Sequence, residues 1–562
     1  MCIRDSSYLA ANGSDRGLCA RLQLPSGELG PELRFDLNRP RSVTLFNIDE
    51  TPATEVLTID QRTGRVVISR IQQPKSKDGE LAARLTQYGF GSEGKNRDVS
   101  IGDVDGDGLE DVVVTDPDKA QMIVFRQEKG RGLSRGETFP GLLGANHTRV
   151  VDLDGDKKAE VVVMSPREKV IAVSSFADGR LTFPKTLPTG AGTEPVCFDV
   201  ADIDGDGKSE VVYIAKKKEG RKSKTVFMTL TRNGDDWKPA GEPEGVEFDF
   251  TGEPVELKSL DANNDGRSDF MVFFDLNKPP AVLLNGKDKI EVLATTGGFQ
   301  LGKLGPGNVT TSKTDGGTAL LVSQESFARR LDLKDSKWQV VDQYNAAEAK
   351  AKVSGSAELN LDGEPGNEIV LIDTGVKKLR VLRKSDNVFR PWREVDLGEI
   401  SYESAYVRDL NGDKKDDLLI VGKGQFAVLY AEQTDPTLEE VASFETKLER
   451  VFFQDLIAGD LNADGRPDLA VIDTRSHYVE LLNFNPDKGL RHAMHFKVFE
   501  EKSFAADRAR SGVEPREGMI ADVTGDGRSD LLLLSHDRVI LYPQDSGESP
   551  PADNGDDDSA AN

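Results

Sequence analysis

A carboxylate-rich loop of nine residues recurs along the chain and has the composition of a hard-cation site. Its clearest copy is DVDGDGLED, with Asp103, Asp105, Asp107 and Asp111 at positions 1, 3, 5 and 9 and Gly108 at position 6. Calcium takes about six to eight oxygen ligands, and a short curled loop supplies most of them from alternate side chains and one backbone carbonyl. Glycine at position 6 permits the positive φ of a sharp turn. The spacing predicts a Ca²⁺ loop here.

Further copies of the loop differ in their predicted strength. Three keep Gly at position 6 and are predicted to bind as strongly as the first: Asp202, Asp204, Asp206, Glu210; Asp261, Asn263, Asp265, Asp269; and Asp460, Asn462, Asp464, Asp468. Three are predicted to bind more weakly, because two have lysine at position 6 and one has threonine at position 3: Asp152, Asp154, Asp156, Glu160; Asp409, Asn411, Asp413, Asp417; and Asp522, Thr524, Asp526, Asp530. A non-glycine residue with positive φ costs about 1 kcal/mol or more.

Three degenerate copies complete the series. The copy at Asn360 has Pro365 at position 6, which cannot adopt a positive φ, so metal binding there is left open. Faint copies at Asn47 and Thr311 are predicted to bind nothing. Clusters of Asp, Asn and Gly also form metal-free turns through local hydrogen bonds, and this is the alternative for any single copy.

An EF-hand is the nearest rival, and the residues at position 12 argue against it. An EF-hand needs Glu there and a helix on either side. The corresponding residues are all apolar or aromatic: Val114, Val163, Tyr213, Val272, Leu371, Ile420, Val471 and Leu533. The last carboxylate comes at position 9 and a short apolar run follows, so the loops are predicted to be turns that lead into strands.

The spacing of the loops predicts a repeat protein. The copies recur at intervals of about 50 residues, a period typical of solenoids, propellers and arrays. Each is followed by short apolar runs bounded by Gly, Asp and Asn, which indicate β-strands. We therefore expect an all-β propeller of about ten four-stranded units, either as one large ring or as a seven- or eight-bladed ring with extra blades. Residues 19–25 are expected to supply an outer strand that the last unit lacks.

At this point the sequence resembles a known family. DVSIGDVDGDGLEDVVVTDP at 98–117, with GFG at 89–91 before it, is similar to the FG-GAP repeat of the integrin α-chain propeller and of bacterial VCBS-type proteins. The resemblance covers about 47–542. It implies a β-propeller in which the calcium loop joins two adjacent strands of a blade, and it leaves the ligand open because such propellers serve many roles.

The amino-acid composition limits the expected cellular location and the classes of binding partner. The chain has 97 acidic and 72 basic residues and a net charge of −25, which argues against a nucleic-acid partner. Cys2, Cys19 and Cys197 give no disulfide framework. No membrane-spanning run and no signal peptide are visible, and we expect the native N-terminus to be missing. Calcium loops nevertheless suit an extracellular, cell-surface or periplasmic location. The predicted organisation is a non-native or disordered segment at 1–18, propeller repeats at 19–542 and an acidic disordered tail at 543–562.

No catalytic motif stands out. His492 and His495 form an HxxH pair without the Glu of HExxH, and we interpret them as exposed loop histidines. The predicted function is therefore a calcium-stabilised, non-enzymatic binding or adhesion propeller that recognises protein or glycan. The alternatives are a carbohydrate-active enzyme such as a polysaccharide lyase, or a structural module of a larger surface protein. A lyase should present a cluster of Lys, Arg, His or Tyr near the channel.

Overall fold

A computed structural model describes residues 8–545, except for 13–16, 24–28, 37–39, 49–54, 62, 73–82, 92–93, 95, 130–131, 221, 235, 240–245, 251, 287–288, 294–300, 315–316, 347, 433–436 and 500–513. Within that part the elements are strands and two short 3₁₀ helices, Asp275–Asn277 and Pro306–Asn308. The chain divides into two compact units. The ring unit comprises Leu22–Glu32 and Lys75–Asp435, and the split unit comprises Met1–Arg21, Leu33–Pro74 and Pro436–Asn562.

The ring unit contains seven antiparallel sheets, numbered here in chain order. Sheet 1 is Val99–Gly102, Asp111–Asp116, Gln121–Phe125 and Glu137–Pro140; sheet 2 is His147–Val151, Glu160–Ser165, Val170–Ser174 and Lys185–Thr186; sheet 3 is Thr193–Ala201, Glu210–Glu219, Lys222–Asn233 and Asp236–Pro239, with Val246–Glu247 also paired to its third strand. Sheet 4 is Pro254–Leu260, Asp269–Phe274, Ala281–Asn285 and Ile290–Val292; sheet 5 is Val309–Thr314, Gly317–Gln324, Phe327–Lys334 and Lys337–Asn345; sheet 6 is Val353–Leu359, Glu368–Asp373, Lys378–Ser385 and Val388–Asp396. Sheet 7 is Tyr402–Arg408, Asp417–Gly422, Gln425–Ala431 and Ala83–Gly89. Two small hairpins pair Gln127–Glu128 with Gly132–Leu133 and Phe176–Ala177 with Arg180–Leu181.

The seven sheets form a closed ring. The outer strand of sheet 7 is Ala83–Gly89, which precedes sheet 1 in the chain and pairs with Gln425–Ala431. One apolar cluster joins Val112 and Val114 of sheet 1 to Leu419 and Val421 of sheet 7. Equivalent clusters lie between every other consecutive pair of sheets in this unit. First strands of most neighbouring sheets lie against one another, which places them at the centre of the ring.

The second strands show why the apolar runs of the sequence are continuous. In Asp111–Asp116 every residue is buried. Val112 and Val114 face sheet 7, whereas Val113 faces sheet 2. Because successive side chains of a strand point to opposite faces, a strand covered on both faces has no polar alternation. The same full burial recurs in the second strands of sheets 2, 4, 6 and 7.

The split unit contains three repeat-type sheets and most of one N-terminal sheet. The repeat-type sheets are Pro40–Phe46, Glu55–Asp60, Val66–Gln72 and Thr437–Phe444; Phe453–Gly459, Asp468–Asp473, Tyr478–Asn485 and Gly489–Lys497; and Glu517–Ala521, Asp530–Ser535 and Arg538–Tyr542. The N-terminal sheet is Tyr8–Asn12, Gly17–Gln23 and Leu29–Asp36. A cluster around Leu57, Ile68, Leu469 and Val471 joins the first two repeat-type sheets.

The all-β propeller prediction is confirmed, in its form with a seven-bladed ring and extra blades. The predicted role of residues 19–25 is wrong, because Gly17–Gln23 pairs with Tyr8–Asn12 and the last sheet keeps three described strands. Strands Tyr8–Asn12 and Gly17–Gln23 overlap the segment 1–18 that was predicted to be disordered. Residues 546–562 of the predicted tail lie outside the described residues. No helix in the described ranges is long and apolar enough to cross a membrane.

Candidate metal centres

Each acidic loop joins the first strand of a sheet to its second strand. In sheet 1 the first strand ends at Gly102, the second begins at Asp111, and these two residues pair across the hairpin. Seven other loops close in the same register: Val151 with Glu160, Ala201 with Glu210, Leu260 with Asp269, Leu359 with Glu368, Arg408 with Asp417, Gly459 with Asp468 and Ala521 with Asp530. Position 12 therefore lies inside a strand, as predicted, where an EF-hand would need a helix.

The side chain at position 1 holds the turn in shape. Asp103 accepts the N–H of Gly106 at 2.7 Å and that of Gly108 at 2.8 Å, one through each carboxylate oxygen. The loops at Asp152, Asp202, Asp409 and Asp522 repeat both bonds, and those at Asp261 and Asp460 repeat the second. Gly106 and Gly108 have φ of 80° and 87°, which favours glycine at both places.

The carboxylate at position 9 links the loop to the sheet through hydrogen bonds. Asp111 accepts the N–H of Val104 at 3.1 Å and that of Gln127 at 2.8 Å. The bond to position 2 occurs in all eight loops. The loop and the start of the buried second strand are thus one hydrogen-bonded unit.

Three loops bring carboxylates within the span of one metal ion. In each, one ligand oxygen from every residue of the set lies within 4.8 Å of the others: Asp103, Asp105, Asp111; Asp152, Asp154, Glu160; and Asp202, Asp204, Asp206. Two oxygens bound to one Ca²⁺ at about 2.4 Å are at most about 4.8 Å apart, so each set could hold an ion of this size. The remaining predicted members, Asp107, Asp156 and Glu210, lie on the same loops.

Neutral oxygens replace the carboxylate at position 3 in the loops that begin at Asp261, Asp409, Asp460 and Asp522. Asn263 accepts the N–H of Asp265 at 3.0 Å and donates to its carboxylate at 3.1 Å. Asn411 and Asp413 repeat this arrangement, and Asn462 accepts the N–H of Asp464 at 2.8 Å. The Thr524 hydroxyl donates to Asp530 at 3.1 Å. These loops keep an oxygen at position 3 with one less negative charge.

Crowding and burial perturb the protonation of the position 9 carboxylates. Burial, with a further contribution from Asp105 and Asp107, raises the pKa of Asp111 to about 7. Burial likewise raises the pKa of Glu210 and of Asp417 to about 7. A pKa above the unfolded value means that ionisation costs folding free energy as the pH rises. A divalent cation between the carboxylates would offset that cost.

In the two degenerate copies that the structure describes, an arginine contacts the motif carboxylate. Arg383, on the third strand of sheet 6, lies 3.0 Å from Asp362 at position 3 of the Asn360 loop. In the faint copy at Asn47, Arg70 lies 2.9 Å from Glu55 at position 9. In each of these two copies a guanidinium thus supplies positive charge beside a motif carboxylate. Asp49 of the copy at Asn47 lies outside the described residues, as do Asp315 and Gly316 of the copy at Thr311.

The Asp152 loop departs from its neighbours in two ways. Lys157 at position 6 has φ of 73°, so a side chain occupies the backbone conformation that suits glycine. Arg232, from the third strand of sheet 3, lies 3.0 Å from the Asp154 carboxylate. The sequence indicated the lysine, but nothing in it placed Arg232 beside this loop, because the two belong to different repeats.

Replacing Lys157 with glycine is expected to stabilise the ring unit by about 1 kcal/mol, because the positive φ then costs nothing. Gly108→Ala is the matched change in the opposite direction. Gly108 has φ of 87°, and no atom lies within 4 Å of the added Cβ, so the substitution adds backbone strain without a clash. It should destabilise the ring unit by a similar amount. Urea unfolding with saturating Ca²⁺ measures both. A stability loss in Lys157→Gly would contradict the assignment of backbone strain.

A second group of charged residues, which sequence reasoning missed, lies on the first strands. The Arg149 guanidinium is 2.6 Å from Asp199, 3.0 Å from Glu256 and 3.4 Å from Asp98. Arg149 itself lies in sheet 2. Asp199 lies in sheet 3, Glu256 lies in sheet 4, and Asp98 directly precedes sheet 1, so one side chain links four consecutive sheets. Burial lowers the pKa of Arg149, but the three carboxylates outweigh it and hold the pKa well above the usual value. No spacing within one repeat reveals such a group.

Comparison with known proteins gives a family signal for part of the chain. The family described as FG-GAP-like repeat matches residues 103–163, 152–213 and 409–471, which confirms the resemblance at these repeats. No curated protein matches the chain. Two solved structures are similar at low identity. One is titled the crystal structure of BBS1N in complex with ARL6DN, soaked with lead, at TM-score 0.37, 12% identity and coverage of 61% of this chain and 94% of that one. The other is a protein from Lactobacillus plantarum at TM-score 0.30, 13% identity and coverage of 62% and 94%.

Proposed function

We propose that this chain, which carries FG-GAP-like repeats, is a calcium-stabilised propeller that binds a protein or glycan and has no catalytic activity. The observation that supports it best is the repetition of one hairpin loop, with the same register and the same bonds at positions 1 and 9, in ring and split unit alike. A scaffold element repeated in this way suits stabilisation of most blades, whereas a catalytic group is needed once.

Calcium would act as a clamp between the first and second strands. The loops already hold their carboxylates in place through backbone N–H groups, so little ordering is needed on binding. If all eight loops each held one Ca²⁺, the net charge would rise by 16, from −25 to −9. Loops of modest affinity suit the millimolar calcium outside cells, and we infer an extracellular, cell-surface or periplasmic location.

A polysaccharide lyase is the second candidate, and one observation favours it. First strands of the ring unit carry His147, Arg149, Lys258 and Tyr406, the residue types that neutralise a uronate and move its proton. Three carboxylates accompany them, however, and Arg149 is already paired with all three. Burial also lowers the pKa of Lys258. A uronate carboxylate would meet like charges here, which favours a structural role for the group.

A ligand survey separates the two candidates. The full chain is applied to glycan and extracellular-matrix protein arrays in Ca²⁺ and in EDTA, and acidic polysaccharides are assayed for unsaturated products. The binding proposal expects retained, calcium-dependent binding and no product. Product formation that Tyr406→Phe abolishes would overturn it in favour of a lyase. Tyr542→Phe, in the split unit, is the matched tyrosine control and should change neither result.

A further inference from the structure

A bulge in one sheet of the split unit places two histidines on the same face. His492 and His495 lie on Gly489–Lys497, a strand and not the loop predicted for them. Residues three apart on a regular strand face opposite sides. Here His495 pairs with Glu480 and His492 pairs with Leu482, because the register shifts by one residue at Ala493. Glu480 and Leu482 share one face, so both histidines do as well.

Three polar side chains of that face lie beside one another, with His492 between Glu480 and His495. His492 Nε2 and His495 Nδ1 are 3.0 Å apart, and the ring centroids are 5.3 Å apart at an interplanar angle of 57°. Glu480 Oε1 is 3.8 Å from His492 Nε2. Two nitrogens on a tetrahedral Zn²⁺ at about 2.05 Å would be about 3.3 Å apart. The separation of the two imidazole nitrogens is already within a few tenths of an ångström of that value, and the Glu480 side chain would turn toward His495 to complete the set.

Glu480 provides an independent sign that a ligand belongs there. Its side chain is 2% exposed, whereas that of His492 is 43% exposed. Its Oε2 is buried and makes no hydrogen bond among the described residues. A buried carboxylate oxygen without a partner is costly, and cation binding is one way to satisfy it. The exposed histidines leave the ion reachable from solvent.

We propose that Glu480, His492 and His495 form a binding site for Zn²⁺ or a similar borderline transition metal. Two imidazoles and one carboxylate are the ligand types of a three-ligand zinc site, which leaves one position for water or an external ligand. The imidazole nitrogens separate this site from the acidic loops, because Ca²⁺ and Mg²⁺ prefer oxygen ligands. It lies on third and fourth strands, away from every loop between first and second strands.

The test is Zn²⁺ titration of the full chain by calorimetry after metal removal and with excess Ca²⁺, so that the acidic loops are occupied. One Zn²⁺ per chain is expected in addition to calcium. His492→Ala and His495→Ala should each abolish it, and Glu480→Gln, which keeps the shape and removes the charge, should weaken it at least tenfold. Cobalt in place of zinc should give the intense visible bands of a tetrahedral site.

His536→Ala is the matched control, since His536 is exposed in the same unit and outside this cluster. It should leave zinc binding unchanged. Circular dichroism of every metal-free variant establishes that the fold is intact. Absence of zinc binding in excess Ca²⁺ would overturn the proposal, and so would zinc binding in His492→Ala and His495→Ala that equals that of the unaltered chain. Unchanged affinity in Glu480→Gln would also overturn it, because the buried carboxylate would then not be a ligand.

Discussion

Removal of divalent cations with EDTA is expected to lower the melting temperature of the chain by about 10 °C or more. Each loop packs three or four motif carboxylates on one hairpin, and the pKa of Asp111 near 7 reflects its burial and that crowding. A cation that binds only the folded state contributes about 2.7 kcal/mol per site at a hundred times its Kd. Several loops act together, so the total effect is large. Thermal unfolding in Ca²⁺ and in EDTA measures it, and Ca²⁺ added back should restore the original value.

Neutral isosteres distinguish a metal site from a metal-free turn. Asp105→Asn with Asp107→Asn removes two charges but keeps the acceptors for the N–H groups of Asp107 and Leu109. In Ca²⁺ this variant should melt at a lower temperature than the unaltered chain. In EDTA it should melt at the same temperature or higher, because repulsion is relieved. Asp118→Asn, at an exposed turn of the same sheet, should change neither value. A variant that is at least as stable in both conditions would indicate a metal-free turn.

Arg149→Met is expected to destabilise the ring unit by about 3–5 kcal/mol, which is the usual cost of removing one partner from a buried ion pair. The arginine side chain is 18% exposed and is shared among Asp98, Asp199 and Glu256. Its removal leaves three partly buried carboxylates without their shared cation. Methionine retains the apolar stem, so the loss reports on charge and hydrogen bonds and not on volume. Urea unfolding with saturating Ca²⁺ provides the measurement.

Arg408→Met is the matched control for this prediction. Arg408 lies in the first strand of sheet 7, is 57% exposed and is 3.8 Å from Glu110. An exposed pair of this kind contributes at most about 1 kcal/mol. Adding Asp199→Asn to Arg149→Met should recover part of the loss, since one unpaired charge is removed. Equal effects of Arg149→Met and Arg408→Met would show that the central group contributes no more than a surface pair.

The local hairpins were predictable from the sequence because each carries its own signals. Positions 1 to 9 form the turn, the apolar run after position 9 forms a strand buried on both faces, and Val114 and its equivalents lie inside it. The period also gave the number of units, ten, which the structure divides into seven in the ring and three in the split unit.

The closure of the ring was not predictable, for a physical reason. Ala83–Gly89 pairs with Gln425–Ala431, and Val66–Gln72 pairs with Thr437–Phe444. Outer strands such as Thr437–Phe444 are largely exposed, so little in their residues selects a distant partner over a near one. The same limit applies to Arg149, whose partners come from three other sheets. A bulge at Ala493 likewise leaves no mark on the local sequence, and it decides where His492 points.

Calcium stoichiometry tests most directly whether the acidic loops are metal sites. The chain is stripped with EDTA, exchanged into metal-free buffer and titrated with Ca²⁺, and the bound ions are counted by native mass spectrometry. At least four Ca²⁺ per chain are expected, at the loops that begin at Asp103, Asp202, Asp261 and Asp460, with up to three more at higher concentration. Asp105→Asn with Asp107→Asn should remove one ion from the count. A chain that binds no calcium at millimolar concentration while remaining folded would contradict the assignment of these loops.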